Sequence, residues 1–216
     1  VENCIEVLKK IAPIEHELIV VDDGSTDRTL INIKNIINDY PNVKLIVHQT
    51  NKGIGEALLS GYRAAIYENV CAIPADGQFD VKELIPYAKI PNSTFVSFYR
   101  AVKTRYSLYR KMLSIGNKAF NKYFLGISIK DVNWIKIYKN QFLKEINPVL
   151  TSSLVESEIC AKMLQNNYNF IEVESKYLIR KHGESKGSNI KTLVKASKET
   201  FKLYKTIRNS RKNNKL

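Results

Sequence analysis

The chain predicts an α/β fold built on a parallel sheet, and three observations carry that prediction. Short apolar runs alternate with longer segments whose apolar residues recur at helical spacing. The connections between them are short, as in a strand–helix–strand series. Each of the first three runs ends in a polar, glycine-bearing loop: "DDGSTD", "NKGIG" and "PADGQ". In an open parallel sheet the carboxyl ends of the strands share one edge, and ligands bind there. Three such loops meeting on one edge are more specific than any one of them.

The elements follow in order. Residues 3–11 read as an amphipathic helix, with Ile5, Val7, Leu8 and Ile11 at roughly helical spacing, ended by Pro13. "ELIVVDDGSTD" gives a buried strand and an acidic turn, in which Ser25, Thr26 and Asp27 are N-cap candidates. A helix over 29–40 carries Leu30, Ile33, Ile36 and Ile37 on one face and breaks at Pro41. "VKLIVHQ" is a second strand, 56–68 a second helix and "VCAI" a third strand. Beyond it the pattern predicts a helix over 82–88, the strand "TFVSFYR", a basic and aromatic helical region over 101–125, and an extended "DVNWIKIYKN". A helix near 154–166 leads to the strand "NFIEVESKYLIR" and the basic loop "KHGESKGS". Residues 190–208 read as a basic amphipathic helix with Ile190, Leu193, Val194, Phe201, Leu203, Tyr204 and Ile207 as its apolar set. The organisation expected is one domain over 1–189 and a basic helix and tail over 190–216, with no internal repeat.

Composition narrows the class. At 216 residues, 44% hydrophobic and 25% charged, the chain has a globular balance and enough length to bury a core. Cys4, Cys71 and Cys160 are an odd, widely spaced set. They read as reduced thiols, not as a disulfide frame or a zinc site, and fit a cytosolic compartment. No run approaches the roughly 18 apolar residues of a membrane-spanning helix, and no signal peptide is visible. The net charge is +13, and from Lys176 onward thirteen Lys and Arg stand against two Glu, so the excess is C-terminal. That bias fits an anionic partner (anionic lipid, lipid-linked phosphate or nucleic acid) or serves solubility. Nucleic acid is disfavoured because no helix-turn-helix, RNP or zinc pattern is present. A dinucleotide dehydrogenase is disfavoured because no GxGxxG follows a strand.

"PADGQFD" places Asp76, Gln78 and Asp80 just past the third strand, with Gly77 between the first two. Two carboxylates and an amide in one turn suit a divalent cation. They also suit a plain turn with solvated acids, with Asp80 as the N-cap of the next helix.

The ordered set "ELIVVDDGSTDRT", "NKGIGEALLSGYRAA", "ADGQFD", "DVNWIKIYKNQFLKEI" and "YLIRKHGESKGS" resembles family 2 glycosyltransferases of the GT-A fold over most of the chain. Its nearest likeness is to the dolichyl- or polyprenyl-phosphate sugar synthase branch. The resemblance implies a GT-A nucleotide-diphospho-sugar transferase fold, a Rossmann-like, mostly parallel sheet flanked by helices. It implies transfer of a sugar, with inversion and with Mg²⁺ or Mn²⁺, from a UDP-, GDP- or dTDP-linked donor. The acceptor implied is membrane-linked, a polyprenyl phosphate or a lipid-linked glycan of the cell envelope. The protein would then be cytoplasmic and peripheral at the inner face of the membrane. Carried over by position, the resemblance implies a donor-binding loop in which Asp22 and Asp23 hold the base and ribose and Gly24 and Ser25 shape the turn, with Lys52 and Gly53 near the donor nucleotide. Asp76 and Gln78 match the second acid and the glutamine of a D-x-D-x-Q metal motif, with Asp76 also serving donor binding and catalysis.

Two departures stand out. Pro74 occupies the place of the motif's first acid and offers no side-chain ligand, so diphosphate oxygens and water must complete the shell. Members also open with an apolar strand and a donor-lining loop, whereas Val1 falls inside the expected first helix. The resemblance therefore implies an N-terminally truncated chain that lacks the first strand. The alternative is a catalytically impaired relic that still binds nucleotide or glycan.

The remaining candidates each carry a plainer reading. Glu156 and Glu158 stand where the family carries acids near the acceptor, and one could serve as base to an acceptor hydroxyl; otherwise they line a solvated helix face. A lipid phosphate is already an anionic nucleophile and needs no strong base. Asp131 either orders the loop beneath the acceptor or is structural. Arg100, Arg105 and Arg110 can grip phosphate bidentately or sit solvated. Arg180, Lys181 and His182, with Gly183 and Gly187, resemble the family's flexible loop over the donor, and such a loop can close on a diphosphate. His16 and His48 are isolated and read as structural or exposed, and Trp134 reads as packing. The helix over 190–208 either lies on an anionic membrane surface or packs its apolar face on the domain. Both hold if only the tail beyond Thr206 meets lipid.

Overall fold

The computed structural model describes residues 4–7, 15–38, 40, 42–100, 112, 115–116, 118–178, 199–205 and 207–208. Strand β1 (Leu18–Asp22) leads to helix α1 (Thr29–Ile37), strand β2 (Val43–Val47), helix α2 (Ile54–Ala64) and strand β3 (Asn69–Cys71). The series continues with a 3₁₀ segment (Val81–Tyr87), strand β4 (Thr94–Arg100), a π-helical turn (Asn121–Leu125) and strand β5 (Lys136–Lys139). Helices α3 (Asn140–Ile146) and α4 (Val155–Gln165) and strand β6 (Asn169–Ser175) complete it. This is the expected α/β fold with helices flanking the sheets.

β1 and β2 pair in parallel, Leu18 opposite Val43 through Asp22 opposite Val47. The other strands form one sheet in the order β3-β5-β4-β6. Within it β4 and β6 are parallel over their full length, while β5 runs antiparallel to both β3 and β4. Alternation along β4 serves two cores. Phe95 enters the larger one with Leu59, Tyr62, Tyr138 and Ile159. Val96 and Phe98 enter the other with Phe79, Trp134 and Ile137. A strand buried on both faces carries apolar residues on both, as Phe95, Val96 and Phe98 do here, with Ser97 buried among them.

The local details have physical causes. Asp80 caps the segment after "PADGQ", its carboxylate accepting from Lys82 N at 3.1 Å. That segment is a 3₁₀ helix and not the expected α-helix; it contains Pro86, which has no N–H to donate. α2 stops at Ala64 because Ala65 turns extended. Residues 199–205 and 207–208 are helical, and Leu203 and Ile207, one turn apart, are buried in the larger core. Glu199 anchors this helix by accepting from Ser152 N at 3.1 Å and Thr151 Oγ1 at 3.3 Å. The start of the expected helix, 190–198, lies outside the described residues. Among the described residues no helix is long and apolar enough to cross a membrane.

Candidate active site

The ends of β1 and β2 make one cluster. Asp22 is buried, and its carboxylate turns back to accept from Ser25 N at 3.2 Å and from Ser25 Oγ. This closes the "DDGS" turn from within, as an aspartate does in an Asx turn. Gly24 has φ 71°, and a Cβ there would lie 2.6 Å from the backbone N of Asn51. The first loop thus sits directly on the backbone of the second, an approach that only glycine permits.

Asp23 fastens the two loops together. Its Oδ1 accepts from Lys52 N at 2.9 Å and its Oδ2 from Gly53 N at 2.8 Å. His48 Nδ1 lies 2.7 Å from Asp23 Oδ1, and Nε2 lies 2.9 Å from Ser60 Oγ on α2. A carboxylate has no proton to give, so Nδ1 must donate. In the neutral ring Nε2 then accepts and Ser60 donates. Burial alone would raise the Asp23 carboxyl, but the hydrogen bonds from His48, Lys52 and Gly53 outweigh it and hold the carboxyl below the usual range. Beyond Gly53, α2 runs close against a neighbouring loop: a Cβ on Gly55 would lie 2.4 Å from Ser152 O.

A second cluster gathers at the ends of β3, β4 and β6. Asp76 is half-buried in the turn made by Gly77, which has φ 73°, and its Oδ1 accepts from Gln78 N at 3.1 Å. Gln78 is buried, and its Nε2 donates to Tyr177 Oη at 2.6 Å. The Tyr177 ring packs against Trp134, centroid to centroid 5.5 Å. The Arg100 guanidinium lies 4.9 Å from the Trp134 ring centroid and 5.6 Å from that of Tyr177. Arg100 also donates twice to Asp131, Nε to Oδ2 at 2.7 Å and Nη2 to Oδ1 at 3.0 Å. A continuous path therefore runs from Asp76 through Gln78, Tyr177 and Trp134 to the Arg100–Asp131 pair.

The solvated-face reading of Glu156 and Glu158 is corrected, because both side chains point into the core. Glu156 accepts from Tyr62 Oη at 2.7 Å and Tyr138 Oη at 2.6 Å, and lies 3.4 Å from the fully buried Nζ of Lys136. Burial first, and the nearby carboxylate second, push the Tyr62 phenol well up, so it stays a donor. Lys136 in turn donates to the carbonyls of Val132 and Trp134. Glu156 thereby underpins the loop that carries Asp131 and Trp134. Glu158 accepts from Val149 N at 3.0 Å and Leu150 N at 2.8 Å, and Lys162 Nζ lies 2.7 Å from its other oxygen. It holds the loop before α4.

Of the predicted site residues, Asp22, Asp23, Gly24, Ser25, Lys52 and Gly53 come together in the first cluster, and Asp76, Gln78, Arg100 and Asp131 in the second. Arg105, Arg110, Arg180, Lys181 and His182 lie outside the described residues. His48, Ser60 and Tyr177 were not foreseen as site residues. His48 stands directly after a strand and two residues from the polar loop, but its partner Asp23 is far off in sequence. Among the described residues no group of three or more His, Cys, Asp or Glu could hold a metal ion. A hard divalent cation bound through one carboxylate, an amide oxygen and substrate phosphates still fits Asp76 and Gln78. The Gln78 ligand atom would be Oε1, since Nε2 donates to Tyr177.

This architecture and these loops define a GT-A-like fold related to the nucleotide-sugar glycosyltransferases. The chain belongs to glycosyl transferase family 2, whose family model matches residues 1–146. It is 35% identical over 109 residues to a dolichyl-phosphate beta-glucosyltransferase of Trichomonas vaginalis, covering 46% of this chain and 34% of that protein. It is 29% identical to a dolichol-phosphate mannosyltransferase of Pyrococcus furiosus, covering 94% of this chain and 60% of that protein. A polyprenol monophosphomannose synthase of Mycolicibacterium smegmatis is 25% identical, covering 81% of this chain and 72% of the relative. The chain thus spans about a third of the first relative's length and 60% of the second's. Among solved structures, glucosyl-3-phosphoglycerate synthase from Mycobacterium tuberculosis with Mn²⁺, UDP-glucose and phosphoglyceric acid superposes with TM-score 0.61 at 16% identity, covering 97% of this chain and 74% of that one. A mannosyltransferase from Pyrobaculum calidifontis with GDP-Man and Mn²⁺ gives TM-score 0.56 at 19% identity, covering 84% of this chain and 55% of that one. At these identities the structural likeness speaks for the fold.

Proposed function

We propose that the chain transfers a sugar from a nucleotide-diphosphate donor to a polyprenyl phosphate. The observation that carries this reading is Asp76, a half-buried carboxylate in the Gly77 turn leaving β3, on a chain of glycosyl transferase family 2. The acceptor class is supported by the names of the relatives, which speak of dolichyl, dolichol and polyprenol phosphates. The donor class and the metal are supported by the UDP-glucose, GDP-Man and Mn²⁺ held by structures of the same fold.

In this reading the Asp22–Ser25 turn and the Lys52–Gly53 backbone form the nucleotide pocket, shaped from within by the Asp23 hydrogen bonds. Asp76 and Gln78 Oε1 are the residues that would hold Mg²⁺ or Mn²⁺. When bound there, the cation neutralises the charge of the diphosphate leaving group. Trp134 and Tyr177, fixed by the Arg100–Asp131 pair, make the wall that orients the acceptor. By the family resemblance, Arg105 and Arg110 are assigned to acceptor phosphate and Arg180, Lys181 and His182 to the donor diphosphate; all five lie outside the described residues. A phosphate monoanion or dianion attacks the anomeric carbon with inversion and needs no protein base, in keeping with Glu156 and Glu158 being spent in the core. A glycan hydroxyl would need such a base.

Thermal unfolding with UDP, GDP and dTDP, each with and without Mn²⁺, tests the donor site, and transfer of labelled sugar to polyprenyl phosphate tests the reaction. A ligand at about 100 times its dissociation constant adds roughly 2.7 kcal/mol to stability. A Mn²⁺-dependent shift for one nucleotide together with product supports the proposal. The same shift without product is the outcome of the relic reading, which Pro74 favours. Absence of any shift in a cooperatively melting chain overturns the donor site.

A further inference from the structure

The larger sheet carries a cavity at the edge opposite Asp76 and Gln78. Those two residues leave the carboxyl end of β3, whereas Glu68 stands just before β3 begins. Asn92 stands just before β4, and Lys139 ends the antiparallel β5 opposite Asn69, so all three meet at the sheet's other end. With Gln141 and Phe142 of α3 they line an open cavity of about 270 Å³. Pockets for drug-sized ligands start near about 300 Å³, so this one suits a single monosaccharide-sized molecule.

Its walls are held from behind. Asn140 N donates to Glu68 O at 2.7 Å, and Asn140 Nδ2 donates to the carbonyls of Ala65 at 2.8 Å and Tyr67 at 2.9 Å. Asn69 Nδ2 donates to Ala88 O at 2.9 Å. The loop of Asn92 is fixed by Asn169 N, which donates to Ser93 O at 2.9 Å. Phe142 packs edge-on against Tyr168, centroid to centroid 4.0 Å.

The lining selects a chemistry. Lys139 is 5% exposed, and among the described residues its ammonium donates only to Glu68, which leaves two N–H bonds to give. That hydrogen bond and the charge beside it hold the Glu68 carboxyl below the usual range, so it is ionised at neutral pH. The Glu68 side chain is 73% exposed, and its second oxygen accepts. Gln141 Nε2 donates to Glu145 Oε1 at 2.9 Å, which leaves the Gln141 carbonyl oxygen as an acceptor, and the exposed Asn92 amide offers both roles. The two charges cancel, so the lining favours neither an anion nor a cation. Donors and acceptors stand beside an aromatic ring. A pyranose matches that set: its hydroxyls donate and accept, and its C–H face complements the negative face of a π-system.

We propose that Glu68, Asn92, Lys139, Gln141 and Phe142 form a saccharide-binding pocket that takes one neutral hexopyranose unit, separate from the donor site and on the opposite edge of the sheet. The inference does not depend on the proposed transfer reaction.

Titration of the ¹⁵N-labelled full chain with methyl β-D-glucopyranoside and methyl α-D-mannopyranoside, followed by amide NMR, is the experiment. At least one glycoside should shift the amides of Glu68, Asn92, Gln141 and Phe142, with a dissociation constant of about millimolar order for so small a ligand. Affinity should fall about tenfold or more in Asn92→Ala/Gln141→Ala and in Phe142→Ser. The first variant changes only exposed side chains, so it keeps the test decisive if Phe142→Ser loosens α3; the amide spectrum monitors the fold. No shift at these amides up to about 100 mM, shifts confined to residues 22–25, 52–53 and 76–78, or unchanged affinity in the folded double variant overturns the proposal. So do equal shifts with glycerol, which would mark a general polyol effect, or tighter binding of inorganic phosphate, which would mark an anion site. Nucleotide-induced stabilisation of the double variant, expected to match the parent, reports the donor site separately.

Discussion

The imidazole of His48 is hydrogen-bonded to the carboxylate of Asp23 at 2.7 Å, joining the residue that leaves β2 to the residue that leaves β1. Removing the ring in His48→Ala takes away one of three donors to that carboxylate and leaves Ser60 without its partner. The expected loss of stability is about 1–2 kcal/mol, read by urea denaturation. Under the proposed function, nucleotide affinity should fall about tenfold, corresponding to roughly 1.4 kcal/mol, by titration calorimetry. Unchanged affinity would make the pair purely structural.

Asp23 also sets a pH dependence. Its folded-state pKa lies below the unfolded one. The stability it contributes is therefore complete above the unfolded value of about 3.9 and is lost as pH falls through the folded value. Asp23→Asn should be less stable than the parent at neutral pH, by about 1–3 kcal/mol. The gap should close in denaturation curves taken progressively below about pH 4. A gap that stays constant with pH would show that the lost term is not the ionised carboxylate.

Asp76 lies in a turn and is only half-buried, so Asp76→Ala should leave the thermal midpoint of the free chain within a few degrees. It should remove the Mn²⁺-dependent part of nucleotide stabilisation and cut transfer about a hundredfold or more. Retained metal dependence in this variant would move the cation site elsewhere.

Glu156→Leu strands the buried Lys136 ammonium without its carboxylate, removes the acceptor of the Tyr62 phenol and leaves Tyr138 Oη with Cys160 Sγ at 3.7 Å. A cost of about 3–5 kcal/mol is expected. Lys136→Met/Glu156→Leu should recover part of that, because the uncompensated charge goes with its partner. Denaturant titrations of both single variants and the double variant give the coupling.

Arg100→Lys keeps the charge but loses the planar fork that meets Asp131 with two bonds and lies over Trp134. Binding of polyprenyl phosphate is expected to weaken more than nucleotide binding, and separate titrations would show the split. Equal loss of both would mean that this pair supports the fold and not the acceptor wall.

These residues show which parts of the molecule a linear reading reaches. The strands at 18–22 and 43–47 and the loops after them are local patterns, and local periodicity finds them. Asp80 as a cap and Trp134 as packing are likewise local inferences. His48 looked isolated because its carboxylate and hydroxyl partners stand 25 and 12 residues away. Glu156 and Glu158 looked solvated because acids on a helix usually are. Their burial depends on Tyr62, Tyr138, Lys136 and the 149–150 backbone, which only the tertiary fold assembles. The antiparallel course of β5 was invisible for the same reason: strand order is not encoded in the periodicity of any one strand.

That course bears on how the chain becomes a protein. β3 and β4 follow one another in sequence, yet the slot between them belongs to β5, and Ile137 pairs with both Cys71 and Val96. During synthesis the two strands emerge with their facing edges unpaired and wait until Lys139 has left the ribosome. Insertion of β5 then joins β3 to β4, and β6 completes the sheet on the other edge of β4. A nascent chain stalled before Lys136 displays two apolar strand edges, a template for self-association.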